Sequence, residues 1–306
     1  MPPDAEQGKV MVVGSANMDL VFRCHRLPAQ GETLLGGQFG TSPGGKGANQ
    51  AAAIGRLGGS VDFVGKVGSD AFGTDVLSSL TSLGVRTDET LTTSEAPTGV
   101  AAVIVAADGQ NCIVVAPGAN QMLTAAEVKR ALARCIPTVV LAQLEIPLSA
   151  VRACVGSALF VLNPAPATEL SDALLSGVHV LTPNETETEA LTSVSPTDGQ
   201  TCLRAAGILH DRGVAAVILT LGSRGCFVSD SHRTEHFEAP RVEPIDTTAA
   251  GDAFSGALAH FLAEGRDLWN AAQLANLVGA LSTTVTGAQA SMPNWSMVKR
   301  LAPGLV

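Results

Sequence analysis

Seven residues late in the chain carry the strongest chemical signal: Asp246-Thr247-Thr248-Ala249-Ala250-Gly251-Asp252. Side chains as small as those at 249–251 leave the backbone open to close approach by an anion. Behind them Phe254, Leu258, Phe261 and Leu262 recur at the spacing of one helix face, so a helix is expected to begin here. The amides of Ala249, Ala250, Gly251 and Asp252 then sit at a helix N-terminus, where unpaired N–H groups and the helix dipole favour negative charge. Asp252 adds a carboxylate to that anion site. Asp is also a common N-cap, so a purely structural role stays open from these residues alone.

A second glycine-rich stretch is Gly40-Thr41-Ser42-Pro43-Gly44-Gly45-Lys46-Gly47-Ala48-Asn49-Gln50. Gly40 to Lys46 has the spacing of a phosphate-binding P-loop. The next residue is Gly47, however, so the metal-binding hydroxyl is missing, and no buried strand feeds the loop. What remains is a glycine turn opening an alanine-rich helix over 48–57, with Lys46 and Asn49 at its mouth. Gly44, Gly45 and Gly47 permit close approach by a small ligand.

These groups need a scaffold. Residues 9–13 form a short apolar run ending in Gly14-Ser15, read as a buried strand. Asn17 and Asp19 follow, two residues apart, and share one face if the chain stays extended. Further apolar runs end at Glu145, at Asn163, at Asn184-Glu185-Thr186-Glu187 and at Thr220-Leu221-Gly222-Ser223-Arg224-Gly225. Helical patterns at 71–83 and 124–133 are punctuated by Gly84 and by Thr124 with Glu127 in capping-box spacing. This alternation predicts an α/β fold with a mostly parallel sheet and helices on both faces. In such sheets ligands gather outside the carboxyl ends of the strands. Glu185, Glu187 and Glu189 also suit a helix's first turn without any ligand.

Two segments lie outside that rhythm. Residues 20–40 and 98–115, the second with a hairpin turn at Asp108-Gly109, read as small antiparallel strands that could form a flap over the site. Towards the end, 270–287 reads as an apolar helix broken by Gly279, followed by a polar loop and a short closing helix at 297–301.

The chain has 306 residues, a net charge of −9 and no Lys/Arg run, so neither nucleic acid nor an anionic membrane is an expected partner. Six scattered cysteines form no Cys-x-x-Cys pair and read as free thiols of a cytoplasmic protein. The polar stretch at 1–8 holds no apolar signal core, and no run approaches a membrane span.

Taken together, Gly14 to Asp19, Gly44 to Asn49, Asn184 to Glu187, Thr220 to Gly225 and Asp246 to Asp252 resemble the ribokinase family of sugar kinases, nearly end to end. The stretch Gly-Gly-Lys-Gly-Ala-Asn is closer to the ribokinases than to the fructokinases or adenosine kinases of that family. Ala249 stands where many members carry Gly. The resemblance implies one ribokinase-like three-layer domain over 1–306, with a small β-sheet lid from about 18–44 and 97–117. It also implies ATP-dependent phosphorylation of the 5-hydroxyl of D-ribose. Asp252 resembles the family's catalytic base, and the amides of Ala249, Ala250 and Gly251 its anion hole. Asn17, Met18, Asp19, Gly45, Lys46, Gly47, Ala48, Asn49 and Glu145 fall on its sugar-contact segments. Asn184, Thr220, Leu221, Gly222, Ser223, Arg224, Gly225 and Asn276 fall on its nucleotide contacts. Glu187 matches its magnesium-linked carboxylate. Asp246, Thr248, Ser282, Val285, Gly287 and Ser291 match its potassium site. The lid implies a homodimer. A kinase for another sugar or a nucleoside, or a sugar-binding protein without catalysis, are the other readings. A nucleoside would call for an aromatic slot, yet the chain has two Trp and no Tyr.

Overall fold

The computed structural model describes residues 8–108, 110–301 and 304–305. The first half runs β1 (Lys9–Val13), β2 (Asn17–Cys24), β3 (Gln38–Gly44), α1 (Lys46–Arg56), β4 (Ser60–Val64), β5 (Lys66–Gly68), α2 (Ala71–Ser82), β6 (Leu91–Thr93), β7 (Gly99–Ala106) and β8 (Asn111–Ala116). Then α3 (Ala125–Cys135), β9 (Val139–Ala142), α4 (Leu148–Arg152), β10 (Leu159–Leu162), α5 (Asp172–Leu175), β11 (Val180–Leu181), α6 (Glu185–Thr192), α7 (Gly199–Asp211) and β12 (Ala216–Thr220) alternate. The chain closes with β13 (Cys226–Ser229), β14 (Thr234–Phe237), α8 (Ala250–Ala263), α9 (Leu268–Ser282) and α10 (Trp295–Leu301).

The main sheet has the order β14-β13-β12-β11-β10-β9-β1-β4. Its strands are parallel from β12 to β4, and β13 and β14 add an antiparallel edge. The apolar runs are continuous because both faces are covered. Alternation along each strand sorts the side chains: Val10 and Val12 enter one core with α1, α2, α8 and α9, while Met11 and Val13 enter the other with α3, α4 and α7. The result is the expected three-layer α/β arrangement.

A separate four-stranded sheet, β3-β2-β7-β8, forms the lid. It is mixed rather than antiparallel throughout. β2 and β7 both start at its base, with Asn17 beside Gly99, and so run parallel; β3 and β8 then pair antiparallel on either side. Residues 33–35 belong to no strand, and Gly109 of the expected hairpin turn lies outside the described residues, as does most of the 1–8 stretch.

Three local expectations are corrected. The apolar run 61–67, which reads in the sequence as one strand, splits at Gly65, and β5 leaves the main sheet to pair with β6. Ala249, not Asp252, is the N-cap of α8, and Asp252 lies in its first turn. Gly279 does not break α9, which runs on to Ser282. A Cβ at 279 would lie 3.3 Å from the Ala250 carbonyl oxygen and 3.4 Å from Phe254 Cβ, so this glycine lets α8 and α9 pack closely. No helix among the described residues is long and apolar enough to cross a membrane.

Candidate active site

The strand ends and three helix N-termini, those of α1, α6 and α8, converge on one cavity of about 160 Å³. Lys46, Asn163, Asn184, Glu187, Thr247, Ala249, Ala250, Gly251 and Asp252 line it. Thus the small-residue turn and the glycine turn, two hundred residues apart, face the same space.

Each turn has a local cause. Ala249 holds φ at +60°, a left-handed setting that turns the chain sharply into α8. An ideal Cβ on Gly251 meets nothing within 4 Å, so its backbone is open to the cavity. Gly45 holds φ at +87°, and a Cβ there would lie 2.8 Å from the Asn17 amide nitrogen. Gly47 packs so closely on Gly14 that a Cβ would come within 2.7 Å of its backbone. Gly47 is therefore needed for the helix to meet the sheet.

Asp252 is 6% exposed, and both of its oxygens accept amide hydrogen bonds. Asn49 Nδ2 donates to Oδ2 over 2.9 Å, and Gln50 Nε2 donates to Oδ1 over 3.1 Å. Burial pushes the Asp252 carboxyl above its usual range, while Lys46 and the two amides pull it back. Lys46 in turn is raised, chiefly by Asp252 and further by Glu145 and Glu187. Asp19 is pushed up to about 7 by burial and by the charges of Glu145 and Asp252. Glu187 is also raised by burial. Four carboxylates thus surround one ammonium. An anionic ligand enters such a site only with amides and a cation sharing its charge.

Glu145 secures the glycine turn. Its Oε2 accepts from Ser15 Oγ at 2.5 Å and from the Lys46 amide at 3.0 Å. Asn17 and Asp19 open β2 rather than sitting in a loop, and they share the strand face expected of them. Asn49 Oδ1 is buried with no partner among the described residues, which leaves an acceptor free beside Asp252. On α6 the Asn184–Glu187 pair forms a full capping box. Glu187 accepts from the Asn184 backbone and side-chain amides, 2.9 Å each, and still lines the cavity. The structural and ligand readings of Glu187 therefore coexist.

Several expected contacts turn elsewhere. The Met18 and Ala48 side chains are buried in the core beside α8, and the Ala48 amide donates to the Ser15 carbonyl at 2.8 Å, so neither side chain reaches the cavity. The Asn276 amide donates to the Glu238 carbonyl and holds that loop. Arg224 binds the carbonyls of Pro196 and Thr197 and the Glu185 carboxylate. With Ser223 it borders a separate groove reaching Phe227, His236 and Arg241. Thr220 lines the main cavity, whereas Leu221 is buried. Gly222 at φ +56° and Gly225 at +89° shape the turn after β12. Asp246 accepts from the amides of Thr248 and Gly287, 2.9 Å each, which joins the two loops of the expected cation site. In that site Ser282 and Ser291 donate to the carbonyls of Gly279 and Ala288, and Val285 is exposed.

Two residues were not anticipated. Gln50 reaches Asp252; its signal was present, because Lys46, Asn49 and Gln50 stand at i, i+3 and i+4 on one helix face. Asn120, at the foot of the lid, donates to Asn17 Oδ1 at 2.7 Å. Nothing local points to it.

The model of the pfkB family carbohydrate kinases matches residues 7–295. The chain belongs to the pfkB family. A ribokinase of Haemophilus influenzae is 41% identical over 288 residues, covering 92% of this chain and 94% of that protein. A deoxyribokinase of Salmonella typhimurium is 35% identical over 295 residues, covering 93% and 95%. The structure of an Arabidopsis thaliana ribokinase complexed with ribose and ATP superposes with a TM-score of 0.87 at 32% identity, covering 96% of this chain and 98% of that one. This pfkB-family chain therefore has the three-layer kinase fold with a lid.

Proposed function

We propose that the chain transfers the γ-phosphoryl group of ATP to the primary 5-hydroxyl of D-ribose, giving ribose 5-phosphate and ADP. The observation that carries this is the shared cavity: a buried carboxylate at Asp252, the open amides of α8 and Lys46 all face one space. The relatives named ribokinase and the ribose–ATP complex of the Arabidopsis protein point to the same substrates.

In this reading Asp252 accepts the proton of the sugar hydroxyl. The freed oxygen attacks the γ-phosphorus as the bond to the β–γ bridging oxygen breaks, and ADP leaves with that electron pair. The amides of Ala249, Ala250, Gly251 and Asp252 stabilise charge on the equatorial oxygens, where phosphoryl transfer needs it most. Asn17, Asp19, Lys46, Asn49 and Glu145 hold the sugar. The free Asn49 Oδ1 suits a hydroxyl donor, and such a site rejects analogues that lack the hydroxyl. Thr220, the turn at 222–225 and Asn184 hold the nucleotide.

Two cations fit residues at and behind the cavity. Glu187 is a buried carboxylate that lines the cavity beside the open amides of α8; it would hold Mg²⁺ together with phosphate oxygens. When bound, Mg²⁺ neutralises phosphate charge. Asp246 with the hydroxyls and carbonyls of Thr248, Ser282, Val285, Gly287 and Ser291 offers hard oxygen donors to K⁺, which would hold the two loops behind the anion site. The lid, with β8 exposed along its whole length, pairs with a second copy to give a homodimer. The free thiols, three of them buried, suit the reducing cytoplasm.

An ADP-release assay across ribose, deoxyribose, fructose and adenosine tests the assignment, with Asp252→Asn as control. Ribose should be the preferred acceptor, and the control should lose turnover while binding ribose. Preference for deoxyribose would move the chain to the activity named for its Salmonella relative. Turnover of none of the four acceptors would remove the kinase reading.

A further inference from the structure

We propose that Gln50 is a positioning residue for Asp252, held in one orientation by a buried chain of amides. The inference rests on Asp252 being the base.

The polarity of the chain follows from the carboxylate. An ionised Asp252 only accepts, so the Gln50 group facing it is Nε2. The second Nε2 hydrogen goes to Asn163 Oδ1 at 3.0 Å. Asn163 must then donate through Nδ2, and it does, to the Thr182 carbonyl at 3.1 Å. Gln50 Oε1 points the other way and accepts from Gln143 Nε2 at 2.5 Å. Gln143 Oε1 has no partner among the described residues. Burying an unpaired acceptor is unfavourable, so Gln143 is placed there for the hydrogen it donates. Gln50 and Gln143 are fully buried and Asn163 is 7% exposed, so water does not compete for these groups.

Every link is set by the one before it. If Gln50 were flipped, its oxygen would face Asp252 Oδ1 and Asn163 Oδ1, and its nitrogen would face a donor. The chain therefore fixes the plane of the Asp252 carboxyl and offers it donors only, while Asn49 holds the other oxygen. A base so held keeps one lone pair aimed at the cavity instead of rotating towards Lys46. The charged groups facing Asp252 are Lys46 on α1, Asp19 on β2, Glu145 beyond β9 and Glu187 on α6. None of them is in hydrogen-bond contact with its carboxyl, which leaves the amides to set its orientation.

Two variants test this. Gln50→Met keeps length and volume but removes the donor. A misplaced reacting group costs on the order of a hundredfold in rate, so kcat should fall by about that much while the KM for ribose changes less than about threefold. Gln50→Glu keeps the shape but must share a proton with Asp252. Its activity should survive only on the acid side and fall as pH rises, whereas the parent enzyme's does not. Wild-type kcat in a cooperatively folded Gln50→Met would overturn the proposal. Should that variant not fold, a parental pH profile in Gln50→Glu overturns it, and the inverted profile supports it. Asp252→Asn separates the two levels: turnover there removes the base assignment itself, whatever Gln50 does.

Discussion

Asn120 Nδ2 donates to Asn17 Oδ1 over 2.7 Å, joining the foot of the lid to the first residue of β2. Asn120 also brackets Ala16, accepting its amide at 2.9 Å and donating to its carbonyl at 3.2 Å. With Oδ1 occupied, Asn17 presents only its amide hydrogens to a ligand, while Asp19 on the same strand face presents acceptors. Asn17 and Asp19 therefore offer a hydroxyl one donor and one acceptor. Asn120→Leu should free the Asn17 side chain and raise the KM for ribose by about tenfold, the worth of a hydrogen bond to a sugar hydroxyl. Its kcat at saturating ribose should change far less. Steady-state kinetics with ribose varied at fixed ATP decides it; a parental KM would show that Asn17 needs no support.

The strand–helix rhythm, the capping box at Thr124 and the small-residue turn before α8 are local patterns, so they could be read from the chain. The path of the lid could not. Whether β2 and β7 run parallel depends on where two distant segments enter one sheet, and no periodicity records that. Asn120 lies 103 residues from Asn17, which puts their bond beyond any spacing rule. Gly279 looked like a break because glycine weakens helices, but tight packing of α8 on α9 outweighs that propensity. Met18 and Ala48 sit inside recognisable motifs, yet their side chains turn to the core. Motif membership marks the segment, and packing decides which atoms reach the ligand.

Asp19 predicts a trade between stability and function. Its carboxyl is pushed up to about 7, above the 3.8 of an ordinary Asp. Between those values the folded protein holds a proton that the unfolded chain has lost, so stability falls as pH rises through that window. Above about 7 the folded state carries the ionised group at its full cost. Asp19→Asn should therefore melt higher than the parent at pH 8, by roughly 1–3 kcal/mol after discounting for partial solvation. The two should converge near pH 4. Thermal melts of the unliganded proteins across that range are the check, and equal melting at pH 8 would refute the burial account. Ribose turnover in the variant should be low at every pH, because an amide cannot replace the lost acceptor.

The lid carries a prediction about assembly. Ile113, Val114 and Val115 on β8 are 54%, 67% and 45% exposed, and Phe22 and Phe39 stack nearby at 45% and 61%. An uncovered edge strand this apolar invites pairing with another sheet. Val114→Glu should convert a dimer to a monomer in sedimentation equilibrium, since a charge buried in an apolar contact is unfavourable. A monomeric parent, or a variant that still dimerises equally well, would remove the lid as the interface.

The last prediction concerns Asp246. Burial opposes its ionisation, but bonds from Thr248 and Gly287 hold its carboxyl below the ordinary range. At neutral pH it is therefore charged, and it ties the loop leading into α8 to the loop after α9. Those loops carry the oxygen donors proposed for K⁺, and the first continues directly into the amides of Ala249 and Ala250, proposed to bind the phosphoryl group. A monovalent ion there would order the turn that holds the phosphoryl group without touching the substrate. Activity should accordingly be greater in K⁺ than in Na⁺, and should fall by about tenfold when a bulky organic cation replaces both, a change of about 1.4 kcal/mol. Asp246→Ala should lower activity and abolish the difference between salts. Rates that are equal in all three salts for the parent protein would show that the two loops are held by Asp246 alone, through its bonds to the amides of Thr248 and Gly287.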